Sequence, residues 1–148
     1  MPNAAHLHIL LNHFPVIGTM FIFVLMVFAL YSKNEKLKHF SMILFIALSL
    51  LTVVVYNSGL KAKGIVKGME SIVEENIEKH EEFADISFIA IEISGVITFL
   101  ILAHYRFSKP VPNFISIVFL FLLLIILAMM IYTSHLGGKI SHLEIMTK

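Results

Sequence analysis

The sequence contains no cysteine, and only 14% of its 148 residues are charged. The first absence excludes disulfides, thiolate metal sites, iron–sulfur ligation and covalent haem attachment through a CxxCH motif. Any bound metal must therefore take nitrogen, oxygen or thioether ligands. The net charge is only +1, and no basic patch with interleaved aromatics occurs, which argues against a nucleic-acid partner. His80-Glu81-Glu82 lacks a second histidine four residues on, so there is no HExxH metalloprotease signature. The eight methionines show no MxxM clustering, and Met129-Met130 reads as filler in an apolar helix.

What the chain does have is hydrocarbon. Hydrophobic residues make up 58% of it and the mean hydropathy is +0.90. Four long apolar runs stand out, residues 7–32, 37–60, 86–106 and 114–136. Each meets the roughly 20 residues needed to cross a hydrocarbon layer of about 30 Å. The expected fold is all-α, an integral membrane four-helix bundle forming one transmembrane domain over residues 1–148. The first run has neither the basic flank nor the cleavage site of a secretory signal, so it is expected to be retained. The turns carrying Lys33, Lys36 and Lys38 and carrying Arg106 and Lys109 are short and basic, which places them on the cytoplasmic side and both termini outside. That arrangement suits a multi-pass protein of the bacterial cytoplasmic (inner) membrane.

The link over residues 61–85 is the only sizeable polar piece, too small for a core of its own. Ile65, Met69, Ile72, Val73, Ile77 and His80 recur in it at spacings of three and four. This predicts a short amphipathic helix along the outer interface, with a mostly acidic polar side, or else a solvated connector.

Six of the eight histidines, His6, His8, His13, His80, His135 and His142, fall at one end of this bundle. Imidazole beside hydrocarbon is costly unless it is paired or bound, so the cluster points to a cofactor or metal. His13 lies roughly six residues inside the first run, or about 9 Å along its axis at 1.5 Å per residue. His135 lies at comparable depth near the end of the fourth, and His80 precedes the third. His6 and His8, close to the amino end, read more simply as solvated. Gly137-Gly138 reads as a helix end ahead of His142. His39 and His104 lie beside the basic turns and read as interfacial, in headgroup contact. Glu92, two turns into the third helix, is expensive as an ionised group unless paired or hydrated, and is the candidate for proton handling.

A b-type haem needs two imidazoles from different helices, with small residues such as Gly18, Gly95, Gly137 and Gly138 nearby. The rival is a mononuclear zinc, copper or iron site built from three or four imidazoles with Glu81 or Glu82. Spacing alone does not separate them, and a structural anchor whose histidines only satisfy polar contacts is the third possibility.

His8-Ile-Leu-Leu-Asn-His13-Phe14-Pro15, Asn57-Ser-Gly59, His80 and His135-Leu-Gly137-Gly138-Lys-Ile together cover nearly the whole chain. They resemble an uncharacterised family of predicted four-helix bacterial membrane proteins with a His-Phe-Pro start and a Gly-Gly motif in the last helix. The chain departs from that pattern at Ile9, where the family has proline, and at Ser141-His142, where it has Val-Tyr. Relatives in that family look like haem or electron-transfer proteins by the same histidine argument, and the resemblance implies a similar role here.

The expectation is therefore a membrane protein carrying one haem b, or two, near the outer face, passing electrons between quinone and an outer acceptor. His13 and His135 are the leading axial pair, with His80, His142 and His8 as further candidates; His13, His80 and His135 would hold the ion in the bare-metal alternative. Glu92 would relay a proton during quinol oxidation. So little mass lies outside the apolar runs that the chain is expected in a homo-oligomer or with a redox partner protein or other subunits.

Overall fold

The computed structural model of the protein describes residues 4–66, 74–105 and 109–141. Its helices are α1 (Ala4–Leu11), α2 (His13–Tyr31), α3 (Glu35–Val66), α4 (Glu74–Tyr105) and α5 (Asn113–Ser141). α2 and α4 each pack against both α3 and α5, so the four long helices close an antiparallel ring, while α1 leans on α3. α1 and α2 together form one apolar stretch, and with α3, α4 and α5 they make four helices long and apolar enough to cross a membrane.

The break between α1 and α2 has a local cause. Pro15 has no N–H to offer the carbonyl of Leu11 and its ring crowds that oxygen, so the helix is interrupted at Asn12. This interruption lets α1 follow α3. At the other end of α2, Lys33 takes a left-handed backbone conformation with φ 52°, a common way for a helix to end. Asn34 then starts α3, its side-chain oxygen accepting from the Leu37 amide at 3.1 Å.

The core recurs at helical spacing: Ile22, Met26 and Ala29 on α2, Met42, Phe45 and Leu48 on α3, and Phe119, Leu123 and Ile126 on α5. Phe45 and Phe119 meet edge to face at 5.3 Å. Outward, large apolar chains such as Phe21, Val24, Phe99 and Phe121 are more than half exposed, the inverse of a water-soluble surface. Two glycines set how closely the helices approach. A Cβ on Gly95 would lie 2.4 Å from the Ser49 hydroxyl oxygen, and one on Gly18 would lie 2.7 Å from Leu48 Cδ1.

The end carrying the short turns is locked by a buried cation. Lys38, 1% exposed, donates to Glu35 Oε1 at 2.7 Å and to Asn113 Oδ1 at 2.6 Å, while Glu35 Oε2 accepts from the Val111 amide at 3.2 Å. The α2–α3 turn is thereby tied to the start of α5. His39 is also buried here, donating from Nδ1 to the Glu35 carbonyl at 2.8 Å, rather than standing at an exposed interface as the sequence suggests. His104 is exposed.

Two boundaries differ from the sequence expectation. Much of the 61–85 link continues the long helices, α3 to Val66 and α4 from Glu74, instead of forming a separate helix along an interface. The three-and-four spacing that predicts amphipathicity belongs to the projecting ends of α3 and α4, which Lys63 and Glu81 clamp with an ion pair; Met69, Ile72 and Val73 lie outside the described residues. α5 also runs through Gly137-Gly138 to Ser141, so the two glycines do not cap it; Gly137 faces the His80 ring on α4, whereas a Cβ on Gly138 would meet nothing within 4 Å.

The Gly95–Ser49 approach yields the first test. Ser49 is 4% exposed and has no room to retreat, so Gly95→Ala is expected to destabilise the bundle by about 1–3 kcal/mol. Adding Ser49→Gly should recover most of that loss, as measured by thermal unfolding in detergent.

Candidate functional site: a paired-histidine cavity

At the end opposite the Lys38 lock, one face of each helix turns toward a common cavity of about 80 Å³. The contributing residues follow helical periodicity. His8 and Asn12 come from α1 and the bend, Pro15 and Val16 from α2, Thr52 and Tyr56 from α3. From α4 come His80, Ala84, Ser87 and Phe88, and from α5 Met130, Thr133 and Gly137.

Two imidazoles meet in it. His8 Nδ1 lies 3.2 Å from the Val55 carbonyl oxygen and 3.1 Å from Ser58 Oγ. His80 Nδ1 lies 3.0 Å from the Thr133 carbonyl oxygen. A carbonyl only accepts, so in each ring Nδ1 carries the proton and the neutral form keeps its lone pair on Nε2. The ring centres are 6.4 Å apart and the planes are inclined at 69°.

Each ring rests on a glycine. A Cβ on Gly59 would lie 2.9 Å from His8 Cε1, and one on Gly137 would lie 3.0 Å from His80 Cε1. One device is thus used twice, with a histidine on one helix, and on its neighbour a glycine for the ring to lie on and a carbonyl to fix its tautomer.

The seam between α3 and α4 forms one wall. The single Thr52 hydroxyl proton is shared between the Ser49 carbonyl oxygen at 2.6 Å and Glu92 Oε1 at 2.7 Å, Tyr56 donates to Asp85 Oδ1 at 2.8 Å, and Tyr56 stacks on Phe88 with centres 4.2 Å apart. On the α4–α5 side Ser87 and Thr133 share a hydrogen bond of 3.0 Å. Asn12 Oδ1 is the one buried side-chain polar atom without a hydrogen-bond partner among the described residues. It belongs to a cavity-lining residue, so the site holds an acceptor with capacity to spare.

The expected site residues divide as follows. His80 is in the cavity, and so is His8, which the sequence makes look like a solvated residue near the amino end. The signal for His8 was present: His8, Asn12 and Pro15 are four and three apart and share a helical face. His13 and His135 are both exposed, and neither lines the cavity. Being part of α1–α2 and α5 at a suitable depth did not put them on the inward face. His6 is exposed as well, and His142 lies outside the described residues. Glu92 is half-buried behind Thr52. No group of three or more His, Cys, Asp or Glu poised to hold a metal ion occurs among the described residues.

Compared with protein-family models, curated proteins and solved structures, the chain matches none.

A Cβ at position 59 would meet only the movable end of the His8 side chain. Gly59→Ala is therefore expected to leave the fold intact and turn the His8 ring away. In nitrogen-15 NMR, His8 and His80 should both show the Nδ1-protonated tautomer in the parent protein, and only His8 should lose that signature in the variant.

Proposed function

We propose that this chain is a multi-pass membrane protein of the bacterial cytoplasmic membrane that holds the iron of one b-type haem between His8 and His80. Its role is to pass electrons between the quinone pool and an acceptor on the outer side, as one subunit of a larger assembly or as a homo-oligomer. The observation that carries this reading is the His8–His80 pair, two imidazoles from different helices with both Nδ1 atoms on backbone carbonyls and centres 6.4 Å apart. Metal-bound histidines characteristically donate their other ring N–H to such a partner, which orients the ring.

The donor set favours haem. Bare zinc or copper takes three or four protein ligands, whereas a porphyrin supplies its own four nitrogens and asks the protein for two axial ones. Two are what the cavity offers. A cavity of about 80 Å³ is smaller than a porphyrin, so seating one requires Tyr56, Phe88 and Met130 to swing outward. When bound, the haem supplies one-electron redox chemistry. The protein's part would be to fix both rings through the Val55 and Thr133 carbonyls and to offer the Asn12 side-chain oxygen as a hydrogen-bond acceptor. The basic turns favour a cytoplasmic Lys38 end, with the cavity then toward the outer face.

The small cavity also favours a second reading, a bare soft metal ion such as copper held by the two imidazoles, with the lining Met130 thioether as a third donor.

Purified protein expressed with ample haem should show the reduced-minus-oxidised visible spectrum of a low-spin haem, confirmed by pyridine extraction. His8→Ala and His80→Ala should each abolish the low-spin spectrum, while His13→Ala and His135→Ala should leave it unchanged. A colourless protein with stoichiometric copper or zinc would establish the second reading. A colourless, metal-free protein would leave only a structural membrane anchor.

A further inference from the structure

The lining of the paired-histidine cavity is short of protons to give. Tyr56 spends its hydroxyl proton on Asp85, and Thr52 shares its own between the Ser49 carbonyl and Glu92. Thr133 donates to the Met129 carbonyl at 2.9 Å, so the proton in its bond with Ser87 comes from Ser87. Both histidines spend their Nδ1–H on carbonyls. What is left over is acceptor capacity: the Nε2 lone pairs of His8 and His80, and Asn12 Oδ1, which is buried and has no partner among the described residues. Ser134, the remaining lining hydroxyl, can turn its oxygen to a donor. An occupant of this cavity must therefore bring the hydrogen atoms.

Its charge and size are constrained as well. Asp85 and Glu92 each stand one hydrogen bond behind a lining hydroxyl, and neither lines the cavity itself. Lys63, on the same seam, is paired with Glu81. Further into the bundle the sequence has no ionisable side chain between Glu92 and His104 on α4 or between His39 and Tyr56 on α3. The field in the cavity thus favours a cation, and Tyr56 and Phe88 add ring surface that attracts one. The volume of about 80 Å³ is roughly half that of an engineered apolar cavity of about 150 Å³ that takes benzene, so the occupant has only a few heavy atoms. A divalent metal ion is poorly served, because the lining has two imidazoles and no carboxylate.

We propose that the cavity, closed as it stands, is a binding site for a small N–H cation, ammonium or methylammonium. Such an ion carries three or four N–H donors and no acceptor, matching the two imidazole nitrogens, the Asn12 oxygen and the Ser134 hydroxyl. Asp85 and Glu92 balance its charge from behind Tyr56 and Thr52. The site is a pocket and not a passage. Inward of Glu92 the Ser49 side chain lies against Gly95, and Met42, Phe45 and Leu123 beyond are 0% exposed. The ion therefore enters and leaves at the histidine end. This inference does not rest on the haem reading, which requires the cavity wall to open.

The test is calorimetric titration of the purified, haem-free protein in detergent with methylammonium chloride, against sodium chloride at the same ionic strength. One saturable site per chain is expected, with ammonium chloride competing for it and tetramethylammonium, which has no N–H, failing to bind. In nitrogen-15 NMR the Nε2 signals of His8 and His80 should both move on binding while Nδ1 stays protonated. His8→Ala and Asn12→Leu should each weaken binding about tenfold or more, whereas changes at the exposed His13 and His135 to alanine should leave it unaltered. The ligand series and the NMR shifts are read on the parent protein, so they decide the matter even where a variant does not fold. Absence of saturable binding, equal binding of tetramethylammonium, or unchanged affinity in both His8→Ala and Asn12→Leu overturns the inference and leaves the haem assignment standing. A chain that binds methylammonium and takes up no haem upholds the inference and overturns that assignment.

Discussion

A polar group surrounded by hydrocarbon must find its hydrogen bond inside the protein, and the arrangement of this bundle follows from how each group does so. Thr19, Ser41, Ser94 and Thr98 are all buried and all bond to carbonyls three or four residues back on their own helix. Such bonds satisfy the hydroxyl without saying anything about the neighbouring helix. Register is set instead by the few groups that reach across: His8 and His80 to backbone carbonyls, Thr52 to Glu92, Tyr56 to Asp85, and Lys38 to Asn113. The α3–α4 pairs occur at successive turns, and slipping that interface by one turn would strand all of them at once. A slip would leave several buried donors and acceptors unpaired at about 1–3 kcal/mol each, which is enough to specify a single alignment.

Glycine and histidine act as complementary halves of one contact. An imidazole lying flat against a neighbouring backbone needs the space a Cβ would take, which Gly59 and Gly137 leave free. Once there, its Nδ1 is within reach of a carbonyl on the same helix. For His80 that carbonyl belongs to Thr133, one turn before Gly137, and for His8 it belongs to Val55, four residues before Gly59. The identical offset of four on two unrelated helix pairs shows that the tautomer and the ring position are fixed by one geometric arrangement.

The fold was legible in the sequence because hydropathy over about 20 residues is a strong, local signal. The four apolar runs became the four helices long and apolar enough to cross a membrane, and of the six histidines expected at one end His8 and His80 meet in the cavity. What local reading missed was rotation. Depth along a helix follows from counting residues, but facing depends on the partner helices, and so His13 and His135, equal in depth, stand exposed while His8 and His80 turn inward. α1 packs on α3, which brings His8 to Gly59 from what looks like a free end. Helix ends were misread for a related reason. Gly137-Gly138 has the composition of a cap, yet the helix continues through both, and the small residue at 137 instead makes room for the His80 ring. Lys38 was read as a marker of the cytoplasmic side; its burial in a lock with Glu35 and Asn113 depends on a partner 75 residues away.

The two ends of the molecule do different jobs because the middle contains nothing ionisable. The Lys38 lock joins the short turns with charge-assisted bonds, and the fully buried Met26, Met42, Phe45 and Leu123 form a next layer that carries no charge. That apolar layer separates the lock from the cavity electrically as well as mechanically. A charge placed between His8 and His80 is therefore balanced only by groups on its own side, and of these Glu92 is the deepest and the one hydrogen-bonded to the cavity wall.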